Sequence, residues 1–100
     1  MDPDKPDFMI ADVVEATAGR EKGQWYYVID ADDEFLYLAN GKDRSLEKPK
    51  RKKRKHAKKV LRSETRVAQK LREGDKVLSS ELRRDLAYLS QNTQSNANGG

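Results

Sequence analysis

Residues 12 to 29 join two β-forming runs through a loop with a glycine at each end. Val13 and Val14 are β-branched, and Trp25-Tyr26-Tyr27-Val28-Ile29 is the densest aromatic and β-branched run in the chain. Both suit a pleated surface with a packed face. Between them, Gly19-Arg20-Glu21-Lys22-Gly23 reads as a charged turn. Its glycines can take the positive φ that a sharp reversal requires, leaving Arg20 and Lys22 projecting at the tip. The apolar supply bounds what can be built on this start. With 100 residues, 35% hydrophobic and 38% charged, the chain suits one domain with a small core.

Along the rest of the sequence, residues 1–7 hold two prolines and three aspartates and are expected to lack fixed structure. The first strand is expected to begin near Phe8, with Ala11 and Val13 inward. In the second, Trp25, Tyr27 and Ile29 alternate with Tyr26 and Val28, so either face can supply the core. Asp30-Ala31-Asp32-Asp33-Glu34 followed by Phe35-Leu36-Tyr37-Leu38 predicts a hairpin with an acidic, solvated turn. A calcium loop fails there, because neither the required glycine nor the distal glutamate is in place. Asn40-Gly41 is a two-residue hairpin signal, which makes residues 42–46 the expected returning strand.

From Lys48 to Lys59, nine of twelve positions are lysine or arginine. Mutual repulsion disfavours order there without an anion. Pro49 argues against a central strand, leaving re-entry as an edge strand around residues 56–61 as the structured option. Beyond it, Ser63 is the expected cap of a helix ending at Glu73, with Gly74 as its stop signal. A second helix is expected over residues 80–89, where Leu82, Leu86 and Leu89 form an i, i+4, i+7 stripe that needs a partner. Residues 91–100 read as a disordered polar tail.

The net charge is +4, but its distribution is lopsided. Residues 1–47 carry 5 basic and 12 acidic residues, −7, and residues 48–100 carry 16 and 5, +11. Such separation predicts an oriented docking surface, with the acidic half facing away from phosphate. A run of cations without one acid suits phosphate neutralisation with counterion release. A nuclear-import signal and a solvated charge run are its other readings. The run contains no aromatic, so any base stacking must come from Trp25, Tyr26, Tyr27 or Tyr37.

For catalysis the inventory is poor. There is no cysteine, hence no thiolate metal site or disulfide, and no Gly-x-Ser-x-Gly or zinc spacing. The Gly19–Gly23 loop is too short for a P-loop and lacks the following Gly-Lys-Ser/Thr. His56, the single histidine, suits hydrogen bonding or stacking near RNA as a neutral imidazole, and packing beside the sheet equally well. The expectation is a non-enzyme without cofactor or metal. No run reaches transmembrane length, the N-terminus lacks the order of a secretory signal, and the cytoplasm is the expected compartment.

Val13-Val14, Ala18-Gly19-Arg20-Glu21-Lys22-Gly23 and Val28 together resemble the KOW motif of ribosomal and transcription-elongation proteins. Residues 40–50 resemble the continuation found in small bacterial KOW-domain RNA-binding proteins, relatives of archaeal and eukaryotic large-subunit ribosomal proteins. The resemblance covers about half the chain. It implies a mainly β fold, a small SH3-like β-barrel whose Gly-rich loop is pressed against RNA. The expected organisation is therefore a disordered 1–7, a barrel over 8–62 with a basic arm at 48–59, a helical extension over 63–90 and a tail over 91–100. The expected function is binding of structured RNA, ribosomal RNA in the first place, with ribosomal or other translation proteins as further partners. The candidate RNA-binding residues are Gly19, Arg20, Lys22 and Gly23 in the loop. The arm adds Lys48, Lys50, Arg51, Lys52, Lys53, Arg54, Lys55, His56, Lys58 and Lys59. The alternative is a protein-interaction module docking on a transcription or translation complex through exposed aromatics and the leucine-striped helix.

Overall fold

The computed structural model describes residues 8–98, with side chains described up to residue 92; the expectation for residues 1–7 lies outside them. Five strands, β1 (Asp12–Ala16), β2 (Trp25–Ala31), β3 (Phe35–Ala39), β4 (Lys50–Lys53) and β5 (Ala57–Arg62), form one antiparallel sheet in the order β4-β3-β2-β1-β5. Two helices follow, α1 (Arg66–Glu73) and α2 (Ser79–Asn98). The two edge strands are consecutive in the chain, linked by a single 3-10 turn, Arg54–His56. Four peptide units can span at most about 14 Å, whereas the edges of a flat five-stranded sheet lie about 19 Å apart. The sheet must therefore curl. Bulges help it do so: the β1–β5 register skips Val60 and the β2–β3 register skips Ile29, and each extra residue bends its strand and increases the local twist. Among the described residues no ladder joins β4 to β5, so the curl stops short of a closed barrel.

Both faces of the sheet are buried. Val14, Ala16, Tyr26, Val28, Leu36 and Leu38 line the concave side with Phe8, while Val13, Tyr27 and Ala39 pack on the other side against Val67, Ala68, Val77, Leu82 and Leu86. The alternation in β2 thus supplies two cores rather than one. The leucine stripe of α2 is the sheet's outer cover, with Leu89 packed at its margin, and so is not a face open to a partner protein. Ala11 and Val13 are buried as expected, but beneath the helices rather than inside the curl.

Tyr27 ties these layers together. Its hydroxyl donates its one proton to the Asp85 carboxylate and is hydrogen-bonded to Ser63 Oγ at 2.8 Å, and Thr65 Oγ1 also donates to Asp85 at 2.7 Å. Burial, then the hydrogen bond to Asp85, push the Tyr27 phenol well above its ordinary range. Thr65, rather than Ser63, caps α1 by accepting the Ala68 N–H. Ser63 is instead buried under Tyr27. Gly74 ends α1 in the left-handed conformation its lack of a side chain allows,.

Three further expectations are corrected. The first strand starts at Asp12, because the Asp12 carboxylate accepts the Met9 N–H and the Asp12 N–H bonds Met9 O, closing a turn that folds Phe8 into the concave core. Residues 42–46 form no returning strand. Asn40 Oδ1 accepts the N–H groups of Lys42, Asp43 and Arg44 at 2.9, 3.0 and 3.1 Å, which winds a local turn, and the sheet resumes only at Lys50. The tail expected to be disordered from residue 91 continues α2 as far as Asn98, since no glycine or proline interrupts it before Gly99,.

Candidate nucleic-acid interface

The loop over residues 17–24 is built as its glycines require. Gly19 and Gly23 have φ of 85° and 93°, and the loop is closed by Gly23 N–H to Ala16 O at 2.8 Å and Gln24 N–H to Glu21 O at 2.8 Å. Arg20 and Lys22 are exposed at its tip. The cationic run, where repulsion is expected to disfavour order, forms β4, the 3-10 turn and β5, the last being the edge strand expected around residues 56–61. What overcomes its self-repulsion is visible side chain by side chain.

In β4 burial alternates with the strand period,. Lys50 and Lys52 turn toward the β1–β2 loop, where Lys50 pairs with the Glu21 carboxylate and Lys52 Nζ donates to Ala18 O at 3.2 Å. Arg51 stacks its guanidinium 4.5 Å from the Phe35 ring centre, a cation–π contact. Arg54 Nε donates to Asp32 O at 2.7 Å, and the Arg54 guanidinium lies over Phe8. Lys59 pairs with the buried carboxylate of Asp12 at 3.2 Å and also lies over Phe8. His56, half-buried, presents its carbonyl to the Thr17 N–H at 3.0 Å. The loop and the cationic run, some thirty residues apart in sequence, are thereby joined into one structure.

That assembly sorts the candidate site residues into two groups. Lys50, Arg51, Lys52, Arg54 and Lys59 have internal partners and hold the surface together. Arg20, Lys22, Lys48, Lys53, Lys55 and Lys58 are exposed and make no side-chain hydrogen bond or ion pair among the described residues. The partners Phe8, Phe35 and Asp12 were not legible as part of the site, because each meets its cation across the sheet from a distant stretch of sequence.

The acidic turn lies beside the cationic segment. Asp32 Oδ1 accepts the Glu34 and Phe35 N–H groups at 3.0 and 2.8 Å, and Tyr37 donates to Oδ2 at 3.0 Å. Those backbone hydrogen bonds, then Tyr37 and the Arg54 charge, hold the Asp32 carboxyl below its usual range. The turn is docked on the cationic segment by Arg54 N–H to Glu34 O at 2.9 Å, so Asp33 and Glu34, both exposed, border the cations. Of the four candidate stacking aromatics, Tyr26 and Tyr27 are buried in the two cores, while Trp25 and Tyr37 are partly exposed.

Among the described residues no group of three or more His, Asp or Glu side chains is placed to hold a metal ion, and no helix is long and apolar enough to cross a membrane. No protein-family model matches the chain, and no curated protein matches it significantly.

Proposed function

We propose that the chain is a small β-sheet nucleic-acid-binding module that grips phosphates with the β1–β2 loop and the exposed cations of the β4–β5 segment. In particular it is a KOW-type binder of structured RNA, acting with ribosomal RNA or an assembling ribosome in the cytoplasm, as a binding module rather than an enzyme. The observation that carries this reading is the docking of the loop on the cationic run through Lys50, Lys52 and His56. It brings Arg20 and Lys22 to the same structure as Lys48, Lys53, Lys55 and Lys58. The strand order, the curl and the 3-10 link between the edge strands support the SH3-like barrel that the KOW resemblance implies.

Cations held apart on a folded surface and left without acidic partners release counterions when they meet phosphate. Base identity contributes little to such contacts, which position rather than specify. The test is filter binding of a structured RNA and a scrambled one across a salt series. Steep and equal salt dependence for the two supports the proposal, and a slope near zero refutes it however tight the binding.

A further inference from the structure

Trp25 opens β2 directly after the loop, and its indole N–H donates to Glu15 Oε1 at 3.2 Å. That bond sets the ring at the wall of an open groove of about 260 Å³ lined by Gln24, Trp25, Asn40, Lys42, Arg83 and Leu86. The lining combines an aromatic surface and a buried leucine with two exposed cations and no carboxylate. Asn40 Oδ1 is occupied by three backbone N–H groups and Gln24 Oε1 accepts from Tyr26 at 3.1 Å, so both side-chain amide oxygens are already engaged within the protein. A ligand complementary to it is flat, apolar on its faces and anionic at one end. At this volume, just below the ~300–1,000 Å³ of drug-sized sites, it is also small.

The groove continues the cationic surface. Glu15 is the register partner of both Trp25 and Lys58, and directly opposed residues share a face, so exposed Lys58 lies two strand spacings, about 10 Å, from Trp25 on the same side. Arg20 and Lys22 stand a few residues before Trp25 in the adjoining loop. We infer that the groove holds one unpaired nucleotide of the bound RNA, its base against Trp25 and Leu86 and its phosphate facing Lys42 and Arg83. The inference rests on the RNA-binding reading above and adds to it the kind of RNA taken: a helix with an unpaired nucleotide beside it.

Trp25 is the single tryptophan, so intrinsic fluorescence reports on the groove directly. The probes are an RNA hairpin with a four-adenosine loop, the same hairpin with abasic loop positions, and adenosine monophosphate alone. The intact loop should quench Trp25 and bind at least about fivefold tighter than the abasic one, the loss expected for one stacked base. Lys42→Ala with Arg83→Ala, both at exposed positions, should erase that preference. Equal affinity for the two hairpins without quenching, with salt dependence retained, overturns the groove inference and leaves the RNA reading standing. Failure of both hairpins to bind overturns both. Persistence of the preference in the double variant places the base elsewhere, and monophosphate binding as tight as the hairpin makes this a free-nucleotide site; either result overturns the inference.

Discussion

The division of the cations into exposed and internally partnered groups makes a prediction that sequence alone would get wrong. If Arg20, Lys22, Lys48, Lys53, Lys55 and Lys58 each neutralise one phosphate, log affinity against log salt should slope at about −4 to −5, taking ~0.7 to ~0.9 counterions per contact. Between 50 and 200 mM salt that is a loss of about 500-fold. Changing Lys53, Lys55 and Lys58 to alanine should flatten the slope by about 2 to 3 units, so that the same salt step costs only about 20-fold. Unfolding should be unchanged, because these side chains leave no partner behind. Lys50→Ala with Lys52→Ala should behave differently. Those lysines hold Glu21 and Ala18 O, so their loss should change the slope by less than about one unit. It should lower stability by about 0.5–1 kcal/mol, as for a partly exposed ion pair. Filter binding on one hairpin RNA from 50 to 300 mM salt, with urea unfolding in parallel, reads both. An unchanged slope in the exposed triple, or an equal flattening in the partnered double, would refute the assignment.

Tyr27→Phe should cost about 1.5–3 kcal/mol, the value of a hydrogen bond to a charged acceptor, seen as a lower urea midpoint at unchanged m. Because the Tyr27 phenol is raised above its ordinary 10.0 in the folded state, its contribution is whole below about pH 10 and lost as pH rises further. The Phe variant should lack that part of the alkaline decline, and identical alkaline profiles would count against the buried network. Gly41→Ala should destabilise by about 2–4 kcal/mol. Gly41 has φ of 76°, and a Cβ there would stand 2.2 Å from Ser79 O and 2.8 Å from Arg83 N; a wild-type thermal midpoint would contradict this packing. Gly23→Val should cost only backbone strain, about 1–2 kcal/mol, since φ is 93° and nothing lies within 4 Å of the added Cβ. Asp33→Asn with Glu34→Gln should tighten RNA binding at low salt and lose that advantage at high salt, and unchanged affinity at 50 mM would mean the acidic turn lies outside the interface.

Short-range features were legible in the residues themselves. The glycine-bounded turn, the acidic hairpin, the Gly74 stop and the α2 stripe each depend on neighbours within a few positions, where φ/ψ preference and periodicity act directly. Asn40-Gly41 shows the limit of such signals: the same pair serves a hairpin or an Asn-capped turn, and α2 passing over Gly41 selects the second. Which face of β2 is the core could not be read, because both faces are apolar and both are covered, one by the curl and one by the helices. The fate of the cationic run was decided by tertiary structure most completely. Read along the chain, its charges repel; in the fold, Glu21, Ala18, Phe35, Phe8, Asp32 and Asp12 reach them from other strands. Attraction to partners 16 to 51 positions away outweighs repulsion between neighbours, and only the folding and curling of the sheet bring those partners within reach.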